Sequence, residues 1–341
     1  MTQKSNWEKL HNRDLDWSVF RIRSQILQGI REFFNKKNFL EIEAPTLTPY
    51  PTLDNNIDSI KCEIDTPDNQ TKTLYLHTSP EHAMKKLLAA GSDNIYYLGK
   101  VFRNNELTRL HNPEYTMVEW YRLEADYHDI MKDTQDLIST IVDKLFGSFT
   151  FKYQNRVVDL IPPWPIISIS ELFKNTFELS SSELLSEESL QLAAERYSIH
   201  YSKKDDWETL FHRLFMDKIE PNLGIPQPVF IIDYPQKIGL MARSKSEDSR
   251  FVERVELYIA GLELANGYSE LTDPNEQLQR FSKQQKIKKD YNSKNYPIDH
   301  ELIDAMKLGL PNCAGIALGI DRLLMFLLNK TEIQDVILFP F

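Results

Sequence analysis

Two apolar periods alternate along the chain, one near 3.6 residues and one near 2. Phe20, Ile26, Leu27, Ile30, Phe33 and Phe34 recur at helical spacing and predict a helix over 18–35. Residues 39–44 read as a strand, which Pro45 ends or confines to a sheet edge. Ser79 as N-cap and Pro80 at the first helical position predict a second helix, stopped at Gly91. Segments 95–103 and 114–121 read as two strands of a long hairpin with a polar loop between them. The middle, about 168–227, is helix-rich and acidic, with Ser180-Ser181-Ser182 as a helix start, and no chemistry stands out in it. Strands resume at 252–260 and 262–271. Asp273-Pro274-Asn275-Glu276 caps a helix to about residue 289, and a helix over 301–308 stops at Gly309. The chain closes with a strand over 315–320, Asp321 as N-cap and a helix from Arg322. Strands joined by hairpins and flanked by helices predict an α+β fold on an antiparallel sheet, in one domain spanning 1–341 with 168–227 as an insertion. The strand–crossover alternation of a Rossmann fold is missing.

Composition narrows the setting. The 341 residues are 41% hydrophobic and 26% charged, as in soluble globular proteins. The start, Met1-Thr2-Gln3-Lys4-Ser5-Asn6, has no apolar signal core. Asp321 and Arg322 interrupt the longest apolar stretch, 315–328, so no membrane span is expected. Two cysteines far apart, Cys62 and Cys313, suit a reducing cytoplasm rather than a disulfide framework. The net charge of −10 lacks the basic surplus of a nucleic-acid binder, and the one modest basic cluster, at 283–289, is equally a solvated helix face. The P-loop, Gly-x-Gly-x-x-Gly, His-Glu-x-x-His and Gly-x-Ser-x-Gly patterns are absent, and the eight histidines form no ligand-spaced set.

Three segments carry candidate chemistry. In the hairpin, Tyr115, Met117, Glu119 and Tyr121 share one face by the period of two, while Arg103, Arg109 and His111 border or occupy the loop. Arginine forks bind phosphate and an aromatic ring stacks on a base, so a nucleotide fits; an exposed charged hairpin fits as well. In the second segment Glu256 and Glu263 lie seven positions apart, and a turn at Ala260-Gly261 would let them converge. Paired carboxylates are costly without a cation, and Mg2+ held with substrate phosphates is one solution; surface glutamates on a sheet are the other. In the same segment Asn266, Tyr268 and Glu270 would share a polar face. In the third segment Arg322 stands at a helix N-terminus, where a cation opposes the macrodipole unless an anion binds, and Gly319 opens the backbone just before it.

In this order the three segments resemble motifs 2 and 3 of class II aminoacyl-tRNA synthetases, with the lysine-type pocket between them. The helix and strand ending at Pro45 resemble motif 1, which implies a homodimer. The runs His111-Asn112-Pro113-Glu114-Tyr115-Thr116-Met117 and Ala265-Asn266-Gly267-Tyr268-Ser269-Glu270-Leu271-Thr272-Asp273-Pro274 look like lysine-branch signatures. The resemblance covers about 16–341. The chain begins almost at motif 1, with no room for the anticodon-binding domain of a lysyl-tRNA synthetase, and so is similar to the free-standing elongation factor P–(R)-β-lysine ligases. Ala317 fits that choice, because the synthetases usually carry Gly there and an extra methyl narrows the space around an α-amino group.

The resemblance implies ATP and Mg2+ as cofactors, lysine or β-lysine as substrate, and elongation factor P as acceptor. Arg103 would bind the α-phosphate and substrate carboxylate, and Tyr115 would stack on adenine. Asn104, His111, Asn112, Leu264, Gly319 and Arg322 would complete the ATP site, and Glu256 with Glu263 would hold Mg2+. Ser79 and Glu81 would take the substrate's backbone-side amine, with Asn266 orienting it and Ala317 nearby; Tyr121 and Glu270 would take the ε-ammonium. The family usually has Arg-Asn-Glu after the first strand. Here Asn105 replaces that Glu and Glu106 follows, leaving the adenine contact open between them. The substrate carboxylate would attack the α-phosphate, pyrophosphate would leave, and an acceptor amine would then attack the acyl-adenylate. Arg103, Arg322 and Mg2+ would neutralise the charge; no general base is evident for the second step. Two other readings stay open. One is a truncated lysyl-tRNA synthetase acting on tRNA or a tRNA-like RNA, which the acidic balance argues against. The other is a non-catalytic lysine- or ATP-binding paralogue, which only Asn105 favours.

Overall fold

Aromatic side chains fix the first helix against the first hairpin. In the computed structural model, which describes residues 5–54, 56–292 and 296–341, a short helix α1 (Asn6–His11) precedes α2 (Ser18–Lys36). Met1–Lys4, part of the polar start, lie outside the described residues. The predicted apolar stripe of α2 is buried, and Phe34 stacks on Tyr96 at 4.6 Å and meets Trp120 at 5.2 Å between ring centroids. Asn38, at φ 59°, turns the chain out of α2 into β1 (Leu40–Glu41). The strand expected over 39–44 is thus two residues long, and it pairs in parallel with β5 (Ile95–Phe102) as an edge. A small sheet of β2 (Leu47–Thr48), β3 (Lys61–Asp65) and β4 (Thr71–Leu76) leads to α3 (Glu81–Ala89). β5 and β6 (Glu114–Leu123) then form the predicted hairpin in register from Ile95↔Tyr121 to Phe102↔Glu114.

The chain divides into two compact units, one of residues 1–126 with 270–341, the other of 127–269. The second unit opens on α4 (Tyr127–Phe146), a helix the sequence reading does not assign. A hairpin of β7 (Thr150–Tyr153) and β8 (Arg156–Asp159) and the strand β9 (Ile166–Ser168) follow. Next come α5 (Ile169–Phe177), α6 (Ser181–Leu184), α7 (Glu187–Arg196) and α8 (Trp207–Leu214), which fill the stretch expected to be helical. Their core is aromatic: Phe173 stacks on Phe211 at 5.0 Å. β10 (Val229–Pro235), β11 (Phe251–Ile259) and β12 (Leu262–Ser269) complete this unit, each antiparallel to the next, with β9 parallel to β10. Ala260 and Gly261 join β11 to β12 at φ 54° and 79°, the paired positive values of a tight hairpin turn.

Back in the first unit, α9 (Pro274–Asn292) and α10 (His300–Gly309) precede β13 (Cys313–Gly319) and α11 (Ile320–Leu327). β13 pairs antiparallel with β6, so the first unit's strands run β1-β5-β6-β13. The N-cap of α11 is Gly319, not Asp321 as expected; Asp321 lies in the first turn, buried, with its carboxylate spent on tertiary bonds. No helix among the described residues is long and apolar enough to cross a membrane.

Candidate active site

Three groups of the predicted residues can be located, two in the first unit and one in the second. The first group surrounds the β5–β6 loop. Arg103 donates its N–H to Pro113 O at 2.9 Å as the hairpin opens, and its guanidinium lies 5.3 Å from the centre of the Tyr115 ring. Glu106 comes within 3.6 Å of Arg103. Asn105, at φ 62°, instead donates its side-chain amide to Asp58 at 3.0 Å, and Asn104 donates its N–H to Asp58 O. Of the two residues left open for adenine, Glu106 is the one beside the arginine. Arg322, in the first turn of α11, donates to His111 Nε2 at 2.6 Å. A guanidinium cannot accept, so Nε2 carries the lone pair and Nδ1–H faces Thr108 Oγ at 2.8 Å. Burial, then the Arg322 and Arg103 charges, hold the His111 pKa down to about 4, which keeps this neutral tautomer. Asn112 is different from its expected role. It is buried, with its amide donating to Glu114 O at 2.7 Å and its carbonyl accepting Phe341 N–H at 3.0 Å, so its side chain braces the loop.

The second group is a buried cluster of carboxylates. Ser79 accepts Glu81 N–H at 3.0 Å at the start of α3 and donates its hydroxyl to Glu119 at 2.6 Å. Tyr121, expected beside Glu270, instead donates to Glu119 at 2.9 Å. Glu119 is 3% exposed at the centre of β6, opposite Ala317 of β13 and Tyr97 of β5. Gly315 faces Tyr121 across the strands, and a Cβ there would meet the ring at 2.4 Å. Glu270 is fully buried, and its Oε1 has no hydrogen-bond partner among the described residues. Between Glu81 and Glu270 lies a side chain the sequence reading does not assign. The Lys85 ammonium, 1% exposed, sits 2.9 Å from Glu81 and forms an ion pair with Glu270. Burial lowers the Lys85 pKa, but the Glu270 and Glu81 charges overcome it and leave it raised. Burial, then the Glu81 charge, push Glu119 up to about 7, while burial raises Glu270 well above the ordinary carboxylate range.

The third group lies on β11 and β12. Glu256 pairs in register with Asn266, and Glu263 with Tyr258, across a bulge between Leu257 and Tyr258. The Glu256 carboxylate accepts from Tyr234 at 2.5 Å, Tyr258 at 2.8 Å, Arg254 at 2.6 Å and Asn266 at 3.0 Å. Four donors occupy all four lone-pair sites of a carboxylate. A direct Mg2+ ligand at Glu256 would therefore have to displace one of them, and this arrangement does not fit the ion at that residue. Glu263 is half-buried, and Leu264 is buried. Both glutamates raise the pKa of Tyr234 and Tyr258 further, after burial. No cluster of three or more His, Cys, Asp or Glu among the described residues is placed to hold a metal.

Comparison with known proteins shows the family. A family model described as tRNA synthetases class II (D, K and N) matches residues 2–341. The lysine–tRNA ligase of Pelotomaculum thermopropionicum is 37% identical over 333 residues, 94% of this chain and 63% of that protein. The chain thus spans under two thirds of that relative. The elongation factor P–(R)-β-lysine ligase of Haemophilus ducreyi is 36% identical over 319 residues, 93% of this chain and 92% of that one. The same ligase of Vibrio atlanticus is 39% identical over 321 residues, 94% of each chain. With the family model matched along residues 2–341 and relatives at 36–39% identity over more than nine-tenths of the chain, this chain belongs to the class II tRNA synthetase family of the D, K and N type.

Proposed function

We propose that this protein activates (R)-β-lysine with ATP as the acyl-adenylate and transfers it to a lysine side chain of elongation factor P. The observation that carries the amino-acid half is the buried pair Glu119 and Glu270 with the partly buried Glu81 beside them, and Glu270 Oε1 left over as an acceptor among the described residues. A buried acceptor without a donor is costly, and an ammonium group satisfies it where an uncharged side chain does not. The acceptor half is supported by the ligases of H. ducreyi and V. atlanticus, which align along more than nine-tenths of their own length. Ala317 supports β- over α-lysine, because its methyl stands on β13 opposite Glu119.

In this reading Arg103 binds the α-phosphate, with Tyr115 and Glu106 toward adenine, and Arg322 meets the γ-phosphate. The His111 lone pair holds the Arg322 fork in place until that anion arrives. The chemistry needs no protein nucleophile: the substrate carboxylate attacks phosphorus and pyrophosphate departs with the charge. When bound, Mg2+ would supply further neutralisation, with Glu263 rather than Glu256 the carboxylate to hold it. Two copies are taken to pair through α2 and β1, where Leu40 is 57% exposed, and the chain is taken to act in the cytoplasm.

The test is to incubate the protein with ATP, Mg2+ and α- or (R)-β-lysine, then offer elongation factor P or lysine tRNA. Pyrophosphate release with β-lysine, followed by one β-lysyl mass on the factor, is expected. Aminoacylated tRNA with an unmodified factor would sink the proposal. That outcome is the second reading, which the 37% identity to a lysine–tRNA ligase keeps in view.

A further inference from the structure

Lys85 is an unusual charge to find in a protein interior. Lysine is almost never fully buried unless paired, and removing an ion from water costs several kcal/mol before any pairing is counted. Its neighbours explain why it is tolerated. Glu81 precedes it by one turn of α3, and Glu270 approaches from the start of the segment leading into α9. Glu119 completes the cluster from β6, held by Ser79 and Tyr121. The charged and titratable groups that the hydrogen bonds, ion pairs and strand register bring together here are Glu81 and Lys85 on α3, Glu119 and Tyr121 on β6, Tyr97 on β5, and Glu270. Three carboxylates and one ammonium make a formal sum of −2 when all are ionised. Among the described residues, Glu270 Oε1 still lacks a hydrogen-bond donor.

We propose that Lys85 is a positioning and specificity-determining residue: it neutralises one of three clustered carboxylates and ties Glu81 to Glu270, leaving a pocket matched in charge to a substrate bearing two ammonium groups. This deepens the function proposed above and rests on it for the identity of the substrate. A substrate with one ammonium leaves an uncompensated buried carboxylate, which must either take up a proton or stay unpaired. A substrate with two ammonium groups brings the sum to zero. Lys85 also acts on the pocket's protonation, because a built-in cation opposes the burial that raises Glu270. Without it, Glu270 would ionise only at still higher pH, and binding of the dication would move up the pH scale with it.

The test uses the full-length protein and ligands that need no chemistry. 1,5-Diaminopentane carries two ammonium groups on lysine's skeleton without the carboxylate, and pentylamine carries one. Calorimetry across about pH 6 to 9 should give the diamine an advantage of about tenfold or more over the monoamine. Lys85→Met should shift the pH of half-maximal diamine binding upward by about one unit, and Lys85→Arg should restore the wild-type profile. Circular dichroism and thermal melting identify variants that fold. A folded Lys85→Met protein with the wild-type pH profile would overturn the proposal, as would equal loss at every pH, which marks a merely structural role. If Lys85→Met does not fold, the diamine-to-monoamine ratio of the wild type decides, and a ratio near one overturns the charge match. The two proposals fail separately. Absent pyrophosphate release with either lysine isomer defeats the enzymatic reading, while diamine preference and the Lys85 pH shift can still hold.

Discussion

At the scale of single residues, the pocket is a balance between burial and charge. Glu119 is the clearest case, since burial and Glu81 push its pKa up to about 7. The folded pKa is raised above the unfolded value, so its favourable contribution is full below the ordinary glutamate range. It is lost as pH rises through about 7. The ligand-free protein should therefore lose thermal stability between about pH 4.5 and 7, and an added diammonium ligand should raise the melting temperature most at the upper end. Glu119→Gln is isosteric with the protonated acid and should flatten that decline in the ligand-free protein. Melting curves at three pH values check it, and an unchanged slope in the variant would assign the decline to other groups. His111 shows the same logic on the phosphate side, where Arg322 and Arg103 help keep the imidazole neutral and able to accept. Of the candidate residues, Glu270 and Arg322 could be placed in a pattern from type and spacing, and Glu81 from the resemblance alone. Lys85 could not, although its spacing from Glu81 was readable: an i, i+4 Glu–Lys pair reads as an exposed helix pair, and only the tertiary structure shows this one buried.

At the scale of elements, three segments of the first unit are locked by one carboxylate. Asp321, in the first turn of α11, accepts the Thr116 N–H of β6 at 2.6 Å and pairs with Arg23 of α2. Arg23 also donates to Thr116 Oγ at 2.6 Å and to Val336 O at 3.2 Å. This interlock fixes Tyr115 and Arg322, the chain neighbours of Thr116 and Asp321. Asp321→Ala would leave a largely buried guanidinium short of its counterion and should cost about 3–5 kcal/mol; Asp321→Asn keeps an acceptor and should cost less. Denaturant titration measures both, and a loss under about 1 kcal/mol for Asp321→Ala would show that the interlock carries little. The sequence reads Asp321 as an N-cap because Asp before a helical run usually is one, and nothing local reveals a partner some 300 positions away. α2 and the β5–β6 hairpin were legible because their apolar periods survive to the core. α4 was legible too, with Ile130, Leu137, Ile138, Ile141 and Val142 at helical spacing, so its omission from the sequence reading has no physical cause. β1 is the opposite case: its apolar run looks like a longer strand, but Pro45 and the edge position leave two paired residues.

At the scale of the whole molecule, charge separates the acceptors. The chain carries 50 acidic against 40 basic residues, a net of −10. Binding to a nucleic acid draws most of its strength from Lys and Arg replacing phosphate counterions, and the affinity then falls steeply with salt. A chain with an acidic surplus can still present a local basic patch, but the modest basic run at 283–289 is its densest stretch of Lys. Lysine tRNA should therefore bind no tighter than the non-specific range of about 10⁻⁴–10⁻⁶ M at physiological salt, and should not lower the yield of modified elongation factor P in a mixed reaction. Fluorescence anisotropy of labelled tRNA over a salt series measures the first, and mass spectrometry of the factor with and without tRNA the second. The salt dependence is the more informative of the two. A steep log–log slope with submicromolar affinity would mean that phosphates are being read by side chains the net charge hides, and the protein-acceptor reading would give way to an RNA-directed one. A shallow slope with undiminished transfer would leave recognition of the acceptor to contacts of another kind, as a protein surface requires.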